Sequence, residues 1–270
     1  MSAFRPFLRK RIVAALDLLL TPLGHGTCIY MAANILIETR FCGPPSSGNG
    51  GYVAGLLAQE VDSFGCEVTL KAPPPLEESL RVEHAPAGAS LWSGDRLIAE
   101  VARAEIDVVV PAPPTFAAAA DAEKQFTGFH NHVFPTCFVC GPDRETGDGL
   151  RIFPGSLGQL GLVGVASTWQ PDSSLADESG LLRSEFVWAA LDCPGYFAVQ
   201  ALAGPAVLGR LGVALHRAPL ARDRMIITGW PIESTGRKHI VGTALHSEDG
   251  TLVASAKATW ISINAPDWQN

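Results

Sequence analysis

Ser93–Val108 reads SGDRLIAEVARAEIDV and Glu248–Ile263 reads EDGTLVASAKATWISI. Laid over each other, Leu97, Ile98 and Ala99 match Leu252, Val253 and Ala254. In both, a Gly-containing turn leads into alternating residues, the pattern of a half-buried strand entered from a tight turn. A match of this kind between distant segments points to an internal repeat, which has to be traced before a fold is chosen.

The repeat extends upstream. VTLKAPPPLEESLRVE from Val68 overlies VALHRAPLARDRMIIT from Val213, each an apolar strand, a Pro-containing loop and a second strand. Further upstream each copy has a helix candidate, GGYVAGLLAQEV after Asn49 and EFVWAALD from Glu185. Both are apolar nearly all round, as expected of helices enclosed by protein. PAPPTFAAAADAEKQFTG from Pro111, rich in Pro and Ala with little strand character, separates the copies as a linker. The expected organisation is an N-terminal segment at 1–30, a first copy at 31–110, a linker at 111–130 and a second copy at 131–265. Helix followed by several antiparallel strands makes the fold class α+β and excludes the strand-helix alternation of a parallel sheet.

The chain of 270 residues, 47% of them hydrophobic, is long enough for one large domain or two ordinary ones. Its net charge of −7, with no basic cluster beyond Arg5–Arg11, argues against a nucleic-acid partner. Six irregularly spaced cysteines read as reduced thiols and suggest a cytoplasmic location. RPFLRKR followed by IVAALDLLLTPLG has the order of a signal peptide, but Asp17 interrupts the apolar run and Pro22 ends it. Ile12, Leu16, Leu19 and Leu20 fall at helical spacing, which favours an amphipathic helix. No other apolar stretch approaches the length expected of a membrane span, so none is expected.

CFVCGPDRETGDGLRIF, Cys137–Phe153, resembles the opening strand of many hotdog thioesterases, with their CxxCG, polar turn and GL-x-I strand. LVASAKATWI from Leu252 is similar to the closing strand of that superfamily, and GNGGYVAGLL to its Gly-rich entry into the central helix. The resemblance is to the phenylacetyl-CoA-type thioesterase branch and covers roughly Phe41 to Ile263. It implies two tandem hotdog domains, each an antiparallel sheet wrapped around a central helix, with an acyl-CoA thioester cleaved where the two units pair. It implies no metal and no cofactor. Where the family's catalytic acid falls, the first copy has Ala58 and the second Asp192; where the first has Asn49, Gly50 and Gly51, the second has Arg183, Ser184 and Glu185.

A carboxylate after an apolar helical stretch is costly unless paired, hydrogen-bonded or functional, which singles out Asp192. Pro194 and Gly195 are expected to break or end the helix there, leaving Asp192 near a negative dipole end that raises its pKa and suits it to act as base or nucleophile. The plain alternative is a cap on the broken helix. Asn49 and the following Gly50 and Gly51 suggest an oxyanion hole at a helix N-terminus, against ordinary N-capping. Glu185 lies on the Asp192 face with Trp188 between them; either they line the pocket with Tyr52, or they are a first-turn acid and core fillers. Phe186 and Tyr196 are further candidates for an aromatic lining. His130, His132, Cys137 and Cys140 could be zinc ligands, but a single CxxC in a strand need not converge, and no metal site is expected. Cys193, with no His nearby in sequence, is a weak nucleophile candidate.

The expected function is therefore hydrolysis of an acyl-CoA or acyl-carrier thioester at one composite site between the halves. The alternatives are a non-catalytic acyl-CoA-binding or scaffold protein, and a hotdog hydratase or dehydratase, against which stands the lack of His in either helix segment. A free sheet edge leaves pairing into a homo-oligomer open.

Overall fold

The computed structural model describes residues 34–61 and 63–264; the amphipathic segment expected at 1–30 lies outside them. The first copy contributes β1 (Asn34–Leu36), α1 (Gly50–Ala58), β2 (Gly65–Leu70), β3 (Ser79–Ala85), β4 (Gly88–Ser93) and β5 (Arg96–Arg103). The connection carries α2 (Phe116–Glu123), and the second copy β6 (Gly155–Ser156), β7 (Val165–Trp169), α3 (Ser184–Ala190), α4 (Cys193–Ala203), β8 (Ala206–Leu215), β9 (Met225–Thr235), β10 (Lys238–Ser247) and β11 (Leu252–Ser262).

The strands form one 11-stranded sheet in the order β1-β3-β4-β5-β2-β8-β11-β10-β9-β7-β6. Both copies use the same local order, and they meet where β2 and β8 pair antiparallel. The register at this seam is self-consistent: Val68 pairs with Leu211, Cys66 with Val213, and Glu67 with Gly212 between them. Because Val68 overlies Val213 in the repeat, Cys66 overlies Leu211, so each cross-strand pair maps onto the other when the copies are exchanged. A pseudo-twofold axis therefore passes between Glu67 and Gly212, and the chain carries its own dimer.

The helices of the two copies pack against each other beneath this seam, and glycine is what allows it. A Cβ on Gly55 would stand 2.6 Å from the Glu185 Cα, and one on Gly51 2.6 Å from the Asp192 Cβ. The surrounding core is continuous across the halves, with Leu57, Val68, Phe186, Leu211 and Leu245 fully buried.

Three local expectations need correction. Cys137–Phe153 forms turns and not a strand, because its backbone groups bond locally (Gly141 N–H to Cys137 O, 2.9 Å) or to separate partners (Phe138 N–H to Cys42 O, 2.8 Å). Residues 111–130 are not plain linker: Thr115 caps α2 by accepting from Ala118 N–H, and Ala119 and Ala122 are buried in a small core with Ala166 and Ile226. The break expected at Pro194 and Gly195 is a two-residue interruption at Leu191 and Asp192, after which α4 runs on to Ala203. Contrary to the expectation that no further stretch reaches membrane-spanning length, Ser184–Ala203 is 20 residues long and apolar enough to cross a membrane, though 72% of its most apolar window is buried inside the fold.

Candidate active site between the two halves

The kink sets the site. Pro194 has no N–H to continue the ladder, so Gly195 N–H bonds the Asp192 carbonyl at 3.0 Å and the Thr243 hydroxyl from β10 takes the freed Leu191 carbonyl at 2.8 Å. A Cβ on Gly195 would lie 2.7 Å from Val241 and 3.0 Å from the Trp260 indole nitrogen, so glycine lets the kink sit directly on the sheet. Asp192 is held at the junction of α3 and α4, 2% exposed.

Its carboxylate does not cap its own helix. One oxygen, Oδ2, accepts hydrogen bonds from the Asn49 side-chain amide at 3.0 Å and from Gly51 N–H at 2.9 Å, both from the other copy. The second oxygen, Oδ1, is buried with no hydrogen-bond partner among the described residues. Burial pushes the Asp192 carboxyl up to about 7, with the nearby Cys137 sulfur adding to it and the Gly51 and Asn49 hydrogen bonds working against it. Asp192 directly follows the C-cap of α3, the expected negative helix end, and is also the N-cap of α4, whose positive end works against it.

Asn49 is fully committed: its Oδ1 caps α1 by accepting from Tyr52 N–H at 2.9 Å while its amide holds Asp192. It is a positioning residue, and capping and site-building turn out to be the same interaction. Gly51 N–H is likewise occupied by Asp192, so the expected oxyanion hole at Gly50 and Gly51 narrows to Gly50. Its N–H is one of the orphan donors of the first turn, with no acceptor among the described residues.

Asp192, Asn49 and Gly50 line a cavity of about 330 Å³, a size suited to a small-molecule group. Leu70, Leu208, Phe197, Tyr196 and Trp260 supply its apolar walls. The Trp260 indole N–H is also buried and without a partner among the described residues. An orphaned acceptor on Asp192 and an orphaned donor on Trp260, in the walls of one cavity, are the polar pair that a ligand would satisfy.

Of the residues singled out from the sequence, Asp192, Asn49, Gly50 and Tyr196 line this cavity. Gly51, Tyr52, Glu185 and Trp188 do not line this cavity. Tyr52 stacks on Phe41 with ring centroids 4.2 Å apart, and Phe186 joins the same aromatic cluster. Glu185 and Trp188 do share the Asp192 face, but that face packs on α1, with Glu185 accepting from the Gln59 side chain at 2.9 Å. Trp260 and Leu208 were missed, because which face of β11 and β8 meets the kinked helix is decided by tertiary packing. On the axis-related side, Glu185 overlies Gly51 and Ala58 overlies Asp192. There the chain has Ala58 in place of a carboxylate, and Glu185 accepts from the Gln59 side chain.

Burial raises the Glu185 carboxyl above its ordinary 4.5, opposed by Arg183 and Gln59. A carboxyl with a raised folded pKa binds its proton more tightly folded than unfolded, so its contribution to stability is complete below about pH 4.5 and is lost as pH climbs through the folded value. Glu185→Gln, which keeps an acceptor for Gln59, is therefore expected to raise the melting temperature at pH 8 more than at pH 5. An equal shift at both pH values, measured by thermal denaturation, would contradict this.

Cys137, Cys140 and Cys193 meet at the edge of the cavity, all buried, so the turn that replaces the expected strand brings the two CxxC cysteines together. The Cys137 thiol is lowered by hydrogen bonds its sulfur accepts from Cys140 and Cys193, while Cys140 is raised by burial and Cys193 by its sulfur neighbours.

No protein-family model matches the sequence, and no curated protein matches it. Among solved structures, the tesB protein MAP1729c of Mycobacterium avium subs paratuberculosis superposes with a TM-score of 0.53 at 12% identity, covering 82% of this chain and 90% of that one. A conserved protein of unknown function with a hot dog fold from Alicyclobacillus acidocaldarius superposes at 0.55 with 10% identity, covering 86% and 92%. The fold is a double hotdog. The superpositions span most of each chain, so they take in both halves and the seam between them. In this double hotdog the two polar partners of Asp192 come from one half and the acid from the other, and the cavity is composite.

Proposed function

We propose that the protein hydrolyses an acyl-CoA thioester in the cavity between its halves. The observation that carries this is the Asp192 carboxylate in the wall of an apolar cavity, one oxygen fixed by the opposite half and the other left without a partner. Fixing Oδ2 fixes the direction of Oδ1, so a water or a thioester carbonyl carbon meets a pre-aimed oxygen. A carboxyl near 7 exchanges protons readily at neutral pH, as a general base must.

In the reaction the acyl group occupies the pocket walled by Leu70, Leu208 and Phe197. Water, its proton taken by Asp192, adds to the thioester carbon; the C–S bond breaks, and CoA leaves as its thiol with the acid as coproduct. Direct attack by Asp192 gives the same products through an anhydride. Gly50 N–H and the Trp260 indole N–H are the donors available to the carbonyl oxygen as charge builds on it. The tesB name of the mycobacterial neighbour fits this reading, and we take the reaction to be cytoplasmic, as the cysteine pattern suggests.

Thiol release from a panel of short, long and aromatic acyl-CoAs, with an enzyme-only blank for the protein's own cysteines, tests the proposal. Turnover of at least one class is expected, and no release from any would overturn it. One observation favours a second reading, acyl-CoA binding without turnover: Oδ1 is wholly buried. Under that reading acyl-CoA raises the melting temperature while no thiol appears.

A further inference from the structure

The cysteine cluster is not used by the hydrolytic reading. PTCFVCG, Pro135–Gly141, folds into a tight turn closed by Cys137 N–H to Phe134 O and Gly141 N–H to Cys137 O, both 2.9 Å, and Asp143 N–H to Pro135 O, 3.1 Å. Gly141 is required for the turn to close: a Cβ there would stand 2.5 Å from the carbonyl oxygens of both Cys137 and Pro135. The turn presents two sulfurs, and Cys193, the first residue of α4, brings the third.

All three Sγ atoms lie within 4.8 Å of one another, with Cys137 and Cys193 at 3.8 Å. Thiolates bound to zinc at about 2.3 Å in a tetrahedron are about 3.8 Å apart, so the sulfurs already stand near the spacing of one metal face. His132 completes the surroundings. Its Nδ1 accepts Phe134 N–H at 3.0 Å, which puts the proton of the neutral ring on Nε2, 3.3 Å from the Cys140 sulfur. An N–H aimed at a thiolate ligand is the outer contact that orients and stabilises metal sulfurs.

We infer that Cys137, Cys140 and Cys193 form a three-thiolate site for a soft divalent cation of the zinc class, with His132 donating to Cys140 and the fourth coordination position open to the acyl cavity. Binding releases three thiol protons and leaves the metal–thiolate group with one net negative charge, so affinity rises with pH. All three ligands and His132 line the cavity, which gives the ion its path. The fourth position suits a water or a thiol, and the site stands whether or not the protein is a hydrolase.

Cobalt(II) is the probe, added to the reduced, chelator-treated full-length protein under anaerobic conditions. One equivalent per chain is expected, with intense thiolate-to-cobalt charge-transfer absorption, displaced by zinc. Cys193→Ser should weaken binding by more than tenfold, and His132→Ala by about 10–100-fold without removing the charge-transfer bands. Because a serine variant could misfold, the wild-type titration decides first: no charge-transfer absorption in reduced wild-type protein overturns the site. An unchanged spectrum and affinity in folded Cys193→Ser would overturn it equally.

Discussion

Asp192→Asn is expected to lower kcat for thioester hydrolysis by about 10²–10⁴-fold, the range for losing a positioned base, while the protein stays folded. Asparagine has the same shape, and its carbonyl oxygen can still accept from the Asn49 amide and Gly51 N–H, so the contact between the halves survives. Removing a buried charge also relieves desolvation, so at pH 8 the variant should melt no lower than the wild type. A folded Asp192→Asn with full turnover would remove Asp192 from the chemistry.

The second large effect belongs to Gly51→Ala. The new methyl would stand 2.6 Å from the Asp192 Cβ and 2.8 Å from the Trp188 carbonyl, atoms with no freedom to swing aside. Separating α1 from α3 should cost about 1–3 kcal/mol of stability. It also moves Gly51 N–H off Asp192, and a displacement of about 1 Å at a catalytic group costs about 10²-fold in rate. Gly50→Ala, one residue away, is the control: its methyl meets the ends of the Leu208 and Leu70 side chains at 2.9 and 3.0 Å, which can turn. It should change stability little. Equal denaturant midpoints for Gly51→Ala and wild type would contradict the packing described for the helix pair.

The double architecture was legible because a strand repeats its alternation wherever it is copied, and the pairs of Leu97 with Leu252 and Val68 with Val213 preserve both register and face. The acid was legible for a related reason: a carboxylate beside an apolar helix stands out as an unbalanced cost. The failures share one cause. Whether a second helix resumes directly after the break before Pro194 depends on whether something distant takes the freed carbonyl, and Thr243 does. Whether Cys137 and Cys140 diverge or converge depends on a turn that only Gly141 permits. Tyr52 and Trp188 read as lining because aromatic residues near a candidate acid look like a pocket, yet their helix faces are spent on the contact between copies.

The central claim is a single composite site per chain, because the position axis-related to Asp192 is Ala58 and carries no carboxylate. Calorimetric titration of Asp192→Asn with an intact acyl-CoA that the wild type turns over tests it most directly, since the variant binds without consuming the ligand. The account predicts one site per chain. Two equivalent sites per chain, or none, would contradict it.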